Sequence, residues 1–292
     1  MELASPITIY WDLPAEPADI GMLRRVCADI AACRPLMLQV TCGGDLLGEG
    51  AVAVLEEFSS TPVAVSLTVP SAAFHESVAA RAGDLKVKEL LLSAGSVADF
   101  QGLRGPFRES SPAMGISFPV TRGNWRQLPS LVAFCREEGI ARLVLPMQRL
   151  YGGEAPFFID RAEQDELTAS LAAEGGADGL NVTIHDPFLW RAFNPGVPFP
   201  QGGCQAANTM IAIAPDGGVY PCPSLPVRLG NAFETSLREI ISSQAKRAFR
   251  FRLRETPEEC VPCSEVHECR GGCLGRAFAV HGSLDGADPA CK

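Results

Sequence analysis

The sequence predicts an α/β protein, a partial (β/α) barrel followed by a small cysteine-rich α+β module. Three observations carry this expectation. Short apolar, β-branched runs alternate with helical stretches through the first 190 or so residues; the character of the chain changes after Asp186-Pro187; and seven of the eleven cysteines fall in the last 89 residues. The expected boundaries are 1–193 for the barrel, 194–203 for a linker and 204–292 for the cysteine module.

Strands are expected at Ile7 to Leu13, Leu36 to Thr41, Val63 to Val69, Lys88 to Ser93, Gly115 to Val120, Arg142 to Pro146 and Leu180 to Ile184. Between them, Ile20 to Cys33, Ala51 to Phe58, Trp125 to Glu137 and Arg161 to Ala173 place Leu, Val and Ala at helical spacing. Strands that alternate with helices form a parallel sheet with the helices outside it. Six or seven such units in under 200 residues fit a partial barrel. A doubly wound open sheet is the alternative, since the pattern does not say whether the sheet curls.

From Asn194 to Gly203 the chain reads Asn-Pro-Gly-Val-Pro-Phe-Pro-Gln-Gly-Gly, a linker by composition. Beyond it, Thr209 to Ala214 and Val219 to Cys222 flank Pro215-Asp216-Gly217-Gly218, a hairpin turn sequence. One helix is then expected from about Ser236 to Arg250, capped by Thr235 or Ser236.

Hydrophobic residues at 47% and charged residues at 20% are ordinary for a globular chain. The net charge is -9 and the basic residues form no long run able to track phosphates, so nucleic acid is not expected as a partner. The N-terminus has no positive region ahead of an apolar stretch, and no apolar run approaches the roughly 20 residues that cross a bilayer. No membrane association is expected, and the expected location is the cytoplasm.

The cysteine array carries the chemistry. Cys260-Val-Pro-Cys263 has the shortest common spacer that lets two thiolates reach one metal or cluster; five residues lead to Cys269 and three more to Cys273. Four thiols within 14 residues leave little room for four inert core cysteines, and cytosolic thiols are kept reduced, so inorganic ligation is expected instead of a disulfide cage. Only one Cys-x-x-Cys pair is present, where a zinc ribbon has two. Iron–sulfur sites accept interleaved ligands, and seven thiolates divide into four plus three. A zinc-stabilised scaffold is the alternative.

The stretch Cys204 to Cys291 resembles a SPASM domain, the C-terminal auxiliary-cluster module of many radical SAM peptide-modifying enzymes. Cys204, twelve residues, Gly217, four residues and Cys222 match that pattern, as do the Cys260, Cys263, Cys269, Cys273 block, Gly271-Gly272 and the trailing Cys291. The resemblance implies one [4Fe-4S] cluster on Cys260, Cys263, Cys269 and Cys291, and a second on Cys204, Cys222 and Cys273. The second set has an open iron position, a non-cysteine ligand or a smaller cluster. His267 and His281 are the candidates for a fourth ligand or a hydrogen bond to sulfide, against solvated loop histidines. His75 and His185 stand alone and read as surface or satisfied core residues.

The family's catalytic loop, Cys-x-x-x-Cys-x-x-Cys after the first strand, is missing. Asp12 to Asp19 contains no cysteine; Cys27, Cys33 and Cys42 have the wrong spacers and, with Cys135, read as buried inert thiols. Cys27 and Cys33, six apart on a helix, are expected on different faces. Gly43-Gly44-Asp45 is similar to the family's Gly-Gly-Glu-Pro cofactor-gripping segment, with Asp45 and Leu46 departing from it, and reads as a vestigial turn. The chain thus resembles a degenerate radical SAM/SPASM paralogue, specifically the SPASM-domain proteins of GeoRSP systems. The implied role is an accessory iron–sulfur subunit that docks on a co-encoded radical SAM/SPASM enzyme or its precursor peptide and relays electrons, without catalytic residues or S-adenosylmethionine of its own. An independent iron–sulfur enzyme using an open cluster site is the rival reading.

Overall fold

The computed structural model describes residues 2–14, 19–42, 48–103, 112–200 and 203–291. Seven parallel strands pair in chain order: β1 (Thr8–Leu13), β2 (Met37–Cys42), β3 (Ala64–Pro70), β4 (Glu89–Ser93), β5 (Ala113–Ser117), β6 (Arg142–Leu145) and β7 (Asn181–Ile184). The helices α1 (Ile20–Cys33), α2 (Glu49–Phe58), α3 (Glu76–Asp84), α4 (Leu128–Glu137) and α5 (Arg161–Ala173) fall between strands, and α6 (Pro187–Phe193) follows β7. A strand order that never reverses, joined by right-handed crossovers, puts all these helices on one face. The sheet therefore curls.

The curl is measurable. Six inter-strand spacings would hold β1 and β7 about 29 Å apart in a flat sheet. Instead, Tyr10 Oη on β1 lies 3.2 Å from Nε2 of His185, the residue after β7. Strands pack on helices through one set of alternating side chains, including Ile9, Trp11, Leu38, Val40, Leu90, Leu92 and Ile116, all fully buried. Each such aliphatic side chain contributes about 1.5–3 kcal/mol by leaving water. The other set, including Gln39, Thr41, Thr68, Leu91, Ser93, Ser117 and Thr183, lines a lumen of about 280 Å³ that mixes polar and apolar groups. The fold is a partial barrel, and the doubly wound alternative is set aside.

The barrel does not close on itself. β1 pairs on its free side with β8 (Met210–Ile213) from the cysteine-rich segment, and β9 (Gly218–Tyr220) and β10 (Gly230–Asn231) continue the sheet antiparallel to give ten strands. One hydrogen-bonded ladder thus joins barrel and module across the 194–203 stretch. No helix among the described residues is long and apolar enough to cross a membrane.

One local expectation is corrected. The single helix over Ser236 to Arg250 is two, α7 (Leu237–Ser242) and α8 (Gln244–Arg252), because Ser243 takes an extended ψ of 151° and caps α8 by accepting from Lys246 N. Cys27 and Cys33 are both buried, as expected of inert core thiols, since α1 packs on the sheet, on α2 and on α7. The helix α3 had no expectation, its buried face being only Val78 and Ala82. The Gly43-Gly44-Asp45 segment lies outside the described residues.

Candidate metal centre

After β10 come α7 and α8, then α9 (Val266–Cys269) and α10 (Leu274–His281), and these short elements gather the seven cysteines. All seven are free thiols. Cys260, Cys263, Cys269 and Cys291 line one cavity of about 180 Å³. Cys204, Cys222 and Cys273 line another of about 290 Å³, which Cys269 also borders.

Local contacts explain the gathering. Gly275 in α10 packs so closely on the loop after Cys222 that a Cβ there would sit 2.3 Å from the Ser224 carbonyl oxygen. That approach seats Cys273 beside Cys222. Gly217 turns the β8–β9 hairpin with φ +78°, and a Cβ would meet Phe233 at 2.5 Å. Ser224 Oγ donates to Gln148 O at 2.9 Å, and Leu150 N to Pro223 O at 3.1 Å, so the loop after β6 anchors the Cys222 turn. Cys291 is held because the buried Gln164 of α5 donates to Ala290 O at 2.9 Å and Cys291 N donates to Asp288 O at 2.9 Å.

A buried ion triad stands between the two cysteine sets. Arg276, 1% exposed, donates through Nε and Nη2 to Asp288 at 2.7 and 2.8 Å, and through Nη1 to Asp186, which follows β7. Asp288 Oδ2 also accepts from Cys273 N at 2.6 Å. The triad thus ties the barrel to the N-terminal end of α10 and to the Cys291 turn. Sequence reasoning missed it; an Arg three residues after Cys273 on an apolar helix was the available signal.

Burial pushes the thiols of Cys204, Cys222 and Cys260 upward, Cys269 to about 11 and Cys273 to about 12, and partial desolvation with Cys263 beside it raises the exposed Cys291. After burial, their influences reveal their neighbours. Cys222 is raised further by Cys204 and Cys273; Cys260 by Cys291 and Cys263; Cys269 by Cys291. Thiolates so placed need a cation beside them, and a metal cluster supplies one. Among the described residues no three His, Cys, Asp or Glu groups converge tightly enough to chelate a single ion. Thiols ringing a cavity are a donor set that a multi-iron cluster can take, each iron with a separate thiolate. The donor sets fit iron–sulfur clusters.

The histidines separate. His267 is exposed and lines a further cavity with Cys204. His281 is engaged with the Ala287 carbonyl at 3.1 Å, and His75 with Ser77 Oγ at 2.7 Å. His185 lines the lumen, bonded to Tyr10 and open to solvent, and desolvation by the surrounding barrel lowers its pKa. A lone histidine after a strand gave no signal of this.

At the mouth of the lumen, Arg149 grips Asp12 at the end of β1 through Nε at 3.0 Å and Nη2 at 2.9 Å, and Nη2 also reaches Thr41 Oγ1 at 3.2 Å. The Tyr151 hydroxyl donates to Asp12 and its ring stacks on Tyr220 of β9 at 4.9 Å. Cys27, Cys33, Cys42 and Cys135 lie in the apolar core outside the lumen, where burial raises them to about 12, 11, 12 and 12.

Residues 204–269 match the SPASM family model, an iron-sulfur cluster-binding domain. The chain is similar to a PqqA peptide cyclase of Granulibacter bethesdensis, 26% identical over 194 residues that cover 63% of this chain and 50% of that protein. An AdoMet-dependent heme synthase of Methanosarcina barkeri is 34% identical over 93 residues, 30% of this chain and 25% of the relative. The chain thus spans half or less of the length of these relatives. Among solved structures, Streptococcus suis SuiB matches with a TM-score of 0.72 at 18% identity, covering 100% of this chain and 78% of that one.

Proposed function

We propose that the chain is an accessory iron–sulfur protein of a radical SAM peptide-modification system, of the GeoRSP type, working in the cytoplasm. Its barrel spans residues 1–193 and its cluster module 204–292, with Cys260, Cys263, Cys269 and Cys291 holding one cluster and Cys204, Cys222 and Cys273 the other. When bound, the clusters supply one-electron chemistry. The peptide class of the substrate follows the similarity to a protein named for cyclising the peptide PqqA.

One observation supports the accessory role over a catalytic one. The end of β1, where this fold's catalytic enzymes carry a three-thiol loop, has Asp12 held by Arg149 and Tyr151, and the four cysteines outside the module are core thiols facing away from the lumen. A residue set of that kind holds a proton or a polar group; it offers no thiolate to iron. The chain's own residues then position the clusters: Arg276 and Asp288 fix α10, Arg250 binds the Cys204 and Ala206 carbonyls at 2.5 and 3.3 Å, and the stacked Tyr151 and Tyr220 join module to barrel.

The test is modification of a precursor peptide by the co-encoded radical SAM/SPASM enzyme, with and without this chain. Conversion is expected to need the chain and to fall when Cys222→Ala removes its three-cysteine cluster. Equal conversion without the chain would contradict the reading.

A further inference from the structure

The segment 246–254, Lys-Arg-Ala-Phe-Arg-Phe-Arg-Leu-Arg, carries five cations in nine residues of a chain whose net charge is -9. It forms the last two turns of α8 and the residues just after it. Beside it lies a polar cavity of about 520 Å³ whose walls include Arg250, Arg254, Arg270, His267 and Cys204. This cavity shares only Cys204 with the cysteine rings, and docking of a partner in it is not part of the function proposed above.

Its cations outnumber the carboxylates near them. Arg250 is 6% exposed, yet it has no carboxylate within ion-pair distance among the described residues; only Nη1 is engaged, on the Cys204 and Ala206 carbonyls. Arg254 and Arg270 are exposed and also have no ion pair among the described residues, and the same holds for Arg247 on the neighbouring face of α8. Of the two carboxylates at the cavity, Glu2 is taken by Lys246 at 2.8 Å, which leaves Glu255 alone against three arginines. A buried guanidinium with no carboxylate bonded to it, only Glu2 acting on it through space, carries a desolvation cost that a bound carboxylate would offset. Phe251, 64% exposed, stands between Arg247 and Arg254 on the helix surface and offers an apolar foothold next to the charges.

We infer that this cavity receives an acidic segment of a partner polypeptide, with carboxylates on Arg250, Arg254 and Arg270 and an apolar side chain on Phe251. The patch is one short helix face with a large aromatic residue in it, within a strongly acidic molecule. That chemistry matches a peptide carrying a few carboxylates and an apolar residue. A polyphosphate strand would meet repulsion on leaving the patch in either direction. Docking here would also bring the partner against Cys204, at the edge of the three-cysteine set.

The test uses the full reconstituted chain and a fluorescein-labelled octapeptide of Asp, Glu and Leu, followed by anisotropy. The isosteric Asn, Gln and Leu peptide and a single-stranded oligonucleotide of equal charge serve as competitors. The acidic peptide is expected to bind, to weaken as salt is raised, and to bind about tenfold or more weakly to the Arg254→Glu, Arg270→Glu double variant, while Lys88→Glu outside the patch leaves it unchanged. Both altered arginines are exposed, and the salt titration on the unaltered chain reads the same electrostatics without any substitution. Equal binding of the amide peptide, indifference to the double variant or to salt, or tighter binding of the oligonucleotide would each overturn the inference. None of those outcomes bears on cluster ligation or on the accessory role.

Discussion

Arg276 shows how one side chain can organise a metal module that has no large core of its own. Its guanidinium is buried between Asp288 and Asp186, and Asp288 also accepts the Cys273 amide. Breaking a buried pair by deleting one partner leaves a charge without compensation, which costs about 3–5 kcal/mol. Asp288→Ala is therefore expected to lower the unfolding free energy of the reconstituted chain by that order, seen as a lower urea midpoint, and Asp288→Asn to lower it less, since the amide oxygen still accepts from Cys273 N. Urea unfolding followed by circular dichroism checks both; equal midpoints for all three proteins would show the triad to be idle.

The core thiols give a pH dependence with a defined sign. Burial raises Cys27, Cys42 and Cys135 to about 12, against 9.0 for a free thiol. The unfolded chain releases these protons first as pH rises, so the folded state binds more protons between about 9 and 12. Stability is level below that window and falls within it, by up to about 1.4 kcal/mol per pH unit for each thiol. Alkylation should tell the same story: at pH 8 these cysteines react with iodoacetamide only after denaturant is added. Rapid labelling in the native state would contradict their placement.

At the scale of elements, the module depends on close backbone approach more than on apolar area. Gly275→Ala places a methyl group on the Ser224 carbonyl and must push α10 away from the Cys222 turn. The expected result is loss of iron from the three-cysteine site with the barrel still folded, read as reduced iron content against unchanged thermal unfolding of the α/β signal. Iron content equal to that of the unaltered chain would contradict the contact. Such approaches were invisible in the sequence, where Gly275 is one glycine among 28. Strands and the long amphipathic helices were legible, since β-branched runs and helical spacing act locally: the expected and observed limits of α1 and α5 coincide. The break at Ser243 was not legible, because a serine inside a helical pattern reads equally as a surface residue or as a cap.

Across the whole molecule, barrel and module share one ten-stranded sheet, so the cysteine-rich segment completes an edge of the barrel as well as carrying ligands. The sequence pattern could not give this, because pairing of β8 with β1 joins residues about 200 apart in the chain and leaves no local mark. It did give the cysteine spacing, and the two cavities ringed by thiols are consistent with two clusters whose ligands separate by mutation. Anaerobic reconstitution is expected to yield about seven to eight iron atoms with matching sulfide. Cys263→Ala should remove mainly one cluster and Cys222→Ala mainly the other, each weakening the module, since ligation energy is folding energy. Zinc without acid-labile sulfide, or the same iron signal lost in both variants, would contradict the account.

The central claim is that this chain carries clusters and leaves radical initiation to a partner. It turns on the end of β1, where residues 12–19 contain no cysteine and Asp12 is held by Arg149 and Tyr151. The most direct measurement is 5′-deoxyadenosine release from S-adenosylmethionine by the fully reconstituted chain alone, reduced with dithionite under anaerobic conditions. Release no faster than the uncatalysed background is the predicted result; sustained turnover by this chain without a partner would contradict it.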